Sequence, residues 1–128
     1  MLRLFLFSLL LHFVADFTLQ GCLADMKQWR WWNELFNQKI FSLRVVHSQK
    51  YRYDWICGLL CHSMYWALLT FAPLIWLADS DWTVAWMVVA NCAFHAVVDD
   101  MKCNRFKINL CQDQILHLAQ IALTYVYS

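Results

Sequence analysis

Three polar residues recur at every fourth position of an otherwise apolar stretch near the N-terminus. They are His12, Asp16 and Gln20 in the run LHFVADFTLQ. Because an α-helix turns by about 100° per residue, this spacing places the three side chains on one face. Imidazoles and carboxylates are costly to hold in lipid unless they pair or bind an ion. The stretch therefore predicts a functional polar stripe on a membrane helix.

The same spacing returns twice further along the chain, and a single histidine lies in another apolar run. The resulting candidate metal ligands are His12, Asp16, His62, His95, Asp99, Asp113 and His117. Imidazole mixed with carboxylate suits zinc, manganese or iron(II). Seven candidates exceed one tetrahedral shell. Either two divalent ions bind, or one binds and the remaining groups orient its ligands or take part in catalysis.

The elements that must position these residues are apolar runs at 2–23, 55–78, 82–101 and 110–127. Each is close to the ~20 residues that cross a bilayer. The chain is 62% hydrophobic, with two glycines and one proline, which favours few, long helices. We predict an all-α fold, an integral membrane antiparallel four-helix bundle forming a single domain over 1–128. Segment 24–54 is predicted to carry a cytoplasmic amphipathic helix that either lies in the headgroup layer or caps the bundle.

Basic residues set the predicted orientation. They cluster between the first two runs and after the third run, at Lys27, Arg30, Lys39, Arg44, Lys50, Arg52, Lys102, Arg105 and Lys107. The turn at Ala78 to Asp81 carries only Asp79 and Asp81. The positive-inside rule then predicts a multi-pass protein of the bacterial inner membrane with both termini outside and the basic loops in the cytoplasm. The absence of a dense basic patch argues against nucleic acid as a partner.

In this orientation each helix delivers one polar group to a common depth. Counting ~1.5 Å per residue places Asp16, His62, His95 and His117 at one level. Asp99, Asp113 and Gln20 fall about one turn closer to the cytoplasm, and His12 about one turn further out. Further outward the first helix offers only Ser8 and Arg3, and the outer halves of the other helices are expected to be nearly all apolar.

The leading functional hypothesis is a metal-dependent hydrolase that acts on a lipid or another membrane-associated substrate from the cytoplasmic side. We expect His62, His95 and His117, with Asp16 or Asp99, to hold the metal. Asp113 or Asp99 would accept the proton of the attacking water. Lys102 or Gln20 would steady the developing oxyanion. For Lys102 the alternative is a side chain that extends to the membrane surface.

Four motifs occur in a fixed order, H-x-x-x-D-F-x-L-Q from His12, His62, H-x-x-x-D-x-x-K from His95, and D-Q-x-x-H from Asp113. This order resembles domain-of-unknown-function family 3307, small bacterial and phage membrane proteins, and the likeness covers all four helices. The tryptophan-rich segment 28–55 is where the chain is expected to depart most from such relatives. The resemblance implies a shared polar site. A looser likeness to membrane-embedded metal-dependent hydrolases is an analogy.

Two other functions stay open at this point. The same residues could form a metal-ion or proton pathway, or the chain could be a non-enzymatic membrane protein that binds a partner through Trp29, Trp31 and Trp32. The bilayer and a lipid substrate are the expected partners, and a homodimer is compatible with so narrow a bundle. Five cysteines (Cys22, Cys57, Cys61, Cys92 and Cys111) are expected as small buried hydrophobes, with Cys57 and Cys61 as minor candidates for ligands. Asp79, Asp81 and Asp100 are expected to be solvated, and His47 lies outside the predicted site.

Overall fold

The computed structural model describes residues 1–37, 53–77 and 82–128, and within these ranges every regular element is a helix. The helices are α1 (Leu2–Phe13), which continues into a π-helical segment (Val14–Thr18), α2 (Leu23–Met26), α3 (Trp29–Asn37), α4 (Asp54–Thr70), α5 (Ala72–Leu77), α6 (Trp82–Cys103) and α7 (Leu110–Tyr127). The prediction of an all-α fold is confirmed.

The long helices α1, α4, α6 and α7 form a ring in which each packs against the next and α7 returns to α1. Neighbours run in opposite directions. Between α1 and α7, for example, Ser8 Oγ lies 2.6 Å from Tyr125 Oη, while the Gln114 amide donates to Asp16 at 2.7 Å. Early residues of α1 therefore meet late residues of α7. The ring gives four helices one common interior.

Two of the predicted helix boundaries are wrong. The first helix ends at Thr18 instead of residue 23, because its last turn widens so that the Leu19 amide bonds to the Val14 carbonyl, and the chain then turns at Gly21 with a φ of +49°. The run 55–78 is divided between α4 and α5. Pro73 lacks the amide hydrogen that would continue the α4 bonding pattern, which explains the break.

Helix α6 is the one helix of the described ranges that is long and apolar enough to cross a membrane by length and composition. It has 22 residues, and the mean hydropathy of its most apolar window is 1.3. Helices α1 and α4 are shorter, with 12 and 17 residues. Helix α7 is long enough but carries Gln112, Asp113, Gln114, His117 and Gln120, which lower its hydropathy.

The molecule is more polar inside than outside. Among the described residues, fifteen polar or charged side chains are buried against nine hydrophobic ones. The outward faces of the ring carry large apolar side chains, for example Phe7, Leu60, Val97 and Leu123. A protein that folds in water alone shows the opposite arrangement.

The cysteines follow this inverted pattern, so the expectation that they are buried in the protein is wrong. Cys22, Cys57, Cys61 and Cys111 are exposed, and Cys92 is half-buried against the hydrophobic core. All six cysteines are free thiols. With their side chains exposed, Cys57 and Cys61 do not belong to the buried cluster around His62.

The expectation that the outer halves of the helices, remote from Asp99, are nearly all apolar is also wrong. Buried polar residues continue along the ring interior at Ser8, Thr70, Asn91, Gln120 and Thr124. Three of them bond to one another: the Asn91 amide donates to Thr124 at 3.0 Å, and the Gln120 amide donates to the Asn91 carbonyl at 2.7 Å. These hydrogen bonds offset the cost of burying Asn91 and Thr124, whereas Thr70 Oγ1 and Gln120 Oε1 have no hydrogen-bond partner among the described residues.

Helices α2 and α3 close the end of the ring where α4 begins. The Asn104 side chain accepts from the Trp29 amide at 3.0 Å and donates to the Lys27 carbonyl at 3.2 Å. The Arg30 guanidinium lies 4.6 Å from the centre of the Phe106 ring. These contacts favour the capping alternative for the described part of segment 24–54. The predicted amphipathic helix of segment 24–54 would carry Phe36 and Ile40 on its apolar face. Ile40 and the side chain of Phe36 lie outside the described residues.

Gly58 permits this closure, and its replacement gives a first prediction. A Cβ at residue 58 would lie 2.5 Å from the Met26 carbonyl oxygen, so Gly58→Ala must push α2 away from α4. We expect a net loss of about 1–3 kcal/mol, because the overlap outweighs the gain in helix propensity. Thermal unfolding of the detergent-purified protein measures it. Cys57→Ala, an exposed change on the same helix, is the control, and a Gly58→Ala protein as stable as the wild type would contradict the packing.

Candidate metal centre

Two histidines and one aspartate form a closed triangle in the ring interior. His62 Nε2 on α4 lies 3.2 Å from His95 Nε2 on α6, and Asp99 Oδ2 lies 3.2 Å from the first nitrogen and 3.7 Å from the second. Two ligands of a tetrahedral ion, bound at ~2.0–2.1 Å, are separated by about 3.3 Å. The triangle therefore has the dimensions of one face of a metal coordination shell.

The other oxygen of Asp99 faces a different histidine. His117 Nε2 on α7 lies 3.6 Å from Asp99 Oδ1 and 3.4 Å from Asp113 Oδ1. Asp99 and Asp113 are each one helical turn from a histidine of their own helix, as the i, i+4 spacing predicted. Asp99 thus stands between two sets of ligand atoms, one toward His62 and His95 and one toward His117.

Asp16 joins the cluster from the π-helical segment that extends α1. Its Oδ1 lies 3.7 Å from His62 Nε2. π-Helical turns are frequent at functional sites, because the extra residue in the turn redirects side chains. Gln20 still contacts Asp16 one turn later: its amide donates to Asp16 Oδ1 at 2.8 Å and also to the Asp16 carbonyl. The predicted polar stripe therefore survives the change of helix type.

Six of the seven predicted ligands come together in groups that could hold a metal ion. In each group the ligand atoms lie within 4.8 Å of one another, and all the side chains are buried. The groups are Asp16, His62 and His95; His95, Asp99 and His117; and Asp16, Asp113 and His117.

Several atoms that face one another in this cluster have no hydrogen-bond partner within the described ranges. They include Asp99 Oδ1, Asp113 Oδ1 and His117 Nε2. A buried acceptor without a donor costs about 1–3 kcal/mol, and more when it is charged. Acceptors of this kind, gathered at ligand spacing, are satisfied by a cation. The donor set therefore fits a divalent metal.

His12, the seventh predicted ligand, is engaged by other protein groups. The Trp66 indole donates to His12 Nδ1 at 2.8 Å, so His12 Nε2 carries the proton that it donates to Gln114 Oε1 at 3.2 Å. The Gln114 amide in turn donates to Asp16 at 2.7 Å and to Asp113 at 3.0 Å. His12 thus belongs to a hydrogen-bond chain that orients two carboxylates of the cluster.

Gln114 and Trp66 were not assigned a role from the sequence. Gln114 stands inside the D-Q-x-x-H motif, and that motif was the available signal. Trp66 lies one turn after His62 on the same face of α4, and its ring stacks on His95 with 4.0 Å between ring centres. Its selection would have required knowing which of the eight tryptophans faces inward.

Two lysines border the cluster. Lys102, predicted from its position one turn after Asp99, lies 2.5 Å from Asp113 Oδ2 and 3.9 Å from Asp99 Oδ1, so it turns into the cluster instead of extending outward. Lys27, counted in the sequence only as a cytoplasmic charge, is buried, and its ammonium lies 2.6 Å from Asp99 Oδ2. Helical periodicity does not relate Lys27 to the cluster, because the turn at Gly21 interrupts the helix between them.

The sequence placed four further polar residues outside the site, namely His47, Asp79, Asp81 and Asp100. Asp100, expected to be solvated, is buried because Arg105 pairs with it at 2.6 Å and the Asn104 amide donates to it at 3.0 Å. His47, Asp79 and Asp81 lie outside the described residues. Comparison with protein-family models, curated proteins and solved structures finds no match to this chain.

The hydrogen-bond chain through His12 gives a second prediction. Trp66→Phe keeps an aromatic ring beside His95 but removes the indole donor and leaves His12 Nδ1 buried without a partner. We expect the free energy of unfolding to fall by about 1–3 kcal/mol. Trp82→Phe, at a tryptophan that is 80% exposed, is the matched control. Chemical denaturation in detergent compares the two, and equal stabilities would show that the indole hydrogen bond contributes nothing.

Proposed function

We propose that this chain is a metal-dependent hydrolase embedded in the bacterial inner membrane, acting on a lipid or another membrane-associated substrate from the cytoplasmic side. The observation that carries the proposal is the buried cluster itself. Three imidazoles and three carboxylates from α4, α6, α7 and the π-helical segment meet at ligand spacing, with acceptor atoms left unpaired. Intramembrane groups of this kind are functional sites by default.

The membrane setting is supported by the polarity of the ring. Apolar side chains cover its outward faces while polar groups fill its interior, as expected when the surrounding solvent is hydrocarbon. Four crossings are part of the proposal, since among the described helices α6 alone meets the length and hydropathy of a membrane span. By the positive-inside rule, the basic residues favour a cytoplasmic position for the end bearing Lys27 and Lys102. The resemblance of the motif order to domain-of-unknown-function family 3307 agrees with this orientation.

Zinc, manganese and iron(II) are the ions that match this donor set. His62, His95 and His117 would hold such an ion, together with the carboxylates of Asp99 and Asp16. A bound divalent ion supplies Lewis-acid activation of an ester oxygen and of water.

The proposed roles of the other candidate residues follow from the groups that each of them contacts. Asp113 Oδ1 has no hydrogen-bond partner in the described part of the chain, so it can accept the proton of an attacking water. Lys102 retains donors for the developing oxyanion. Gln20 donates both amide hydrogens to Asp16, which makes it a positioning residue. His12 positions Asp16 and Asp113 through Gln114.

Metal content tests the first half of the proposal. We expect the detergent-purified protein to retain one or two equivalents of zinc, manganese or iron by elemental analysis. His95→Ala, which removes a ligand atom from two of the groups, is expected to lower the content by at least half. Asn91→Ala, a buried polar change elsewhere in α6, is the control for general destabilisation. Wild-type protein that binds none of the three metals after reconstitution would overturn the proposal.

Hydrolysis tests the second half. Metal-loaded protein in vesicles of bacterial lipid is expected to release products detectable by mass spectrometry. Asp113→Asn is expected to slow that release by about 100-fold or more, since it removes the proton acceptor. Its metal content checks that the ligands remain in place. Unchanged hydrolysis in Asp113→Asn would remove Asp113 from the mechanism, and the absence of any product would count against an enzyme.

Transport of a metal ion or proton is the second candidate. The buried polar residues that continue beyond the cluster, among them Asn91, Gln120 and Thr124, favour it because they extend the polar interior toward the opposite end. Flux of zinc or protons into liposomes distinguishes the two functions. Flux that depends on Asn91 and occurs without hydrolysis would support transport.

A further inference from the structure

The ammonium groups of Lys27 and Lys102 lie at one edge of the candidate metal centre. The sequence pattern predicted a role there only for Lys102. Lys27 is 3% exposed, and Lys102 is 21% exposed. Each makes one short contact to a carboxylate, Lys27 to Asp99 and Lys102 to Asp113. A lysine ammonium has three donors, so each retains hydrogens beyond these contacts.

The charges of the cluster favour an anion once a metal is present. The buried carboxylates Asp16, Asp99 and Asp113 outnumber the two lysines by one. A single divalent ion reverses that excess to one positive charge, and a second ion makes it larger. A net positive charge inside a low-dielectric ring is costly unless an anion compensates it.

The contacts of the lysines also depend on the metal. Asp99 Oδ2 is shared between the Lys27 ammonium and His62 Nε2, at 2.6 and 3.2 Å. A carboxylate oxygen that binds an ion has less charge to offer an ammonium. Ion binding at Asp99 therefore leaves Lys27 in need of another anionic partner, and Lys102 at the same edge keeps donors beyond its contact with Asp113.

We propose that Lys27 and Lys102 bind the phosphate group of the substrate beside the metal, so that the hydrolysed compound is a phosphate monoester. This inference rests on the proposed function and narrows its substrate class. A terminal phosphate carries close to two negative charges, which two ammonium groups and an ion match, and lysine is a common phosphate ligand. Gln20, Gln114 and Lys102, which contact the carboxylates of the cluster, are partly exposed.

The chemical step balances without a further reactant. The water oxygen forms a bond to phosphorus while the bond from phosphorus to the leaving alcohol oxygen breaks. The proton that water gives up passes to Asp113 and then to the leaving oxygen. The products are inorganic phosphate and an alcohol.

Phosphate binding tests the inference without requiring turnover. Inorganic phosphate is titrated into metal-loaded protein in detergent and followed by calorimetry and phosphorus NMR. Lys27→Met and Lys102→Met are each expected to weaken binding about 10-fold or more, because each removes a charged hydrogen-bond donor. Lys107→Met, at an exposed lysine in the connection between α6 and α7, is the matched control and is expected to bind as the wild type does.

Metal content, measured on the same samples, separates the two proposals. Wild-type protein that holds metal but binds no phosphate overturns the phosphate inference and leaves the metal centre standing. Protein that holds no metal fails the proposed function itself. Should Lys27→Met not fold, Lys102→Met, at a more exposed position, decides: binding equal to the wild type overturns the inference.

The source of the phosphate is resolved by presenting it in two forms. One arm uses inorganic phosphate and a short soluble phosphate monoester. The other uses nanodiscs that contain phosphatidic acid, compared with nanodiscs of phosphatidylcholine alone. Stronger binding or hydrolysis with phosphatidic acid identifies a lipid headgroup, and equal behaviour toward the soluble ester identifies a free one. Binding that does not differ between phosphatidic acid and phosphatidylcholine, together with no binding of the soluble ester, overturns the inference.

Discussion

Asp99 is the residue on which the interior of this protein depends. It is fully buried, and an isolated carboxylate in such a place is far too costly to persist. Neighbouring polar groups from several elements offset that cost. They are Lys27, directly after α2; His62 on α4; His95 and Lys102 on α6, the helix of Asp99 itself; and His117 on α7. Helices α4, α6 and α7 and the residue that follows α2 are therefore held together through one charge, and the same arrangement could hold a cation.

The backbone is adapted to bring these groups within reach. The absence of a side chain at Gly58 lets α2 approach α4, and Lys27 follows directly after α2. The π-helical turn around Asp16 redirects that carboxylate while Gln20 still bonds to it. A regular helix through residue 23 would have carried the chain past the cluster and left Lys27 far from Asp99. The departures from regular helix are thus what connect the first helix to the site.

The sequence predicted the parts of this site that follow from helical repeat. The i, i+4 pairs at His95 and Asp113 and the meeting of His62 with His95 required only spacing and orientation, whereas the position of Lys102 was left open between the cluster and the membrane surface. Contacts across a turn could not be predicted in this way. Lys27 reaches Asp99 through a loop conformation set at Gly21, and Trp66 is chosen by packing. The burial of Asp100 depends on its pairing with Arg105, which the sequence did not indicate. The exposed cysteines show a second difficulty: when the interior of a protein is polar, apolar residues can lie on its outer surface as well as in a core.

In the proposed function, metal and anion binding at this site are coupled. Without an ion, Lys27 pairs with Asp99 and Lys102 pairs with Asp113. An ion competes with the ammonium groups for the same oxygens, so it binds more tightly when an anion takes over the lysines, and by linkage the anion binds more tightly when the ion is present. Tight binding of both together is therefore compatible with weak binding of either alone. In the proposed function, the paired charges hold the cluster together until ion and substrate bind, as a polar site inside a membrane requires.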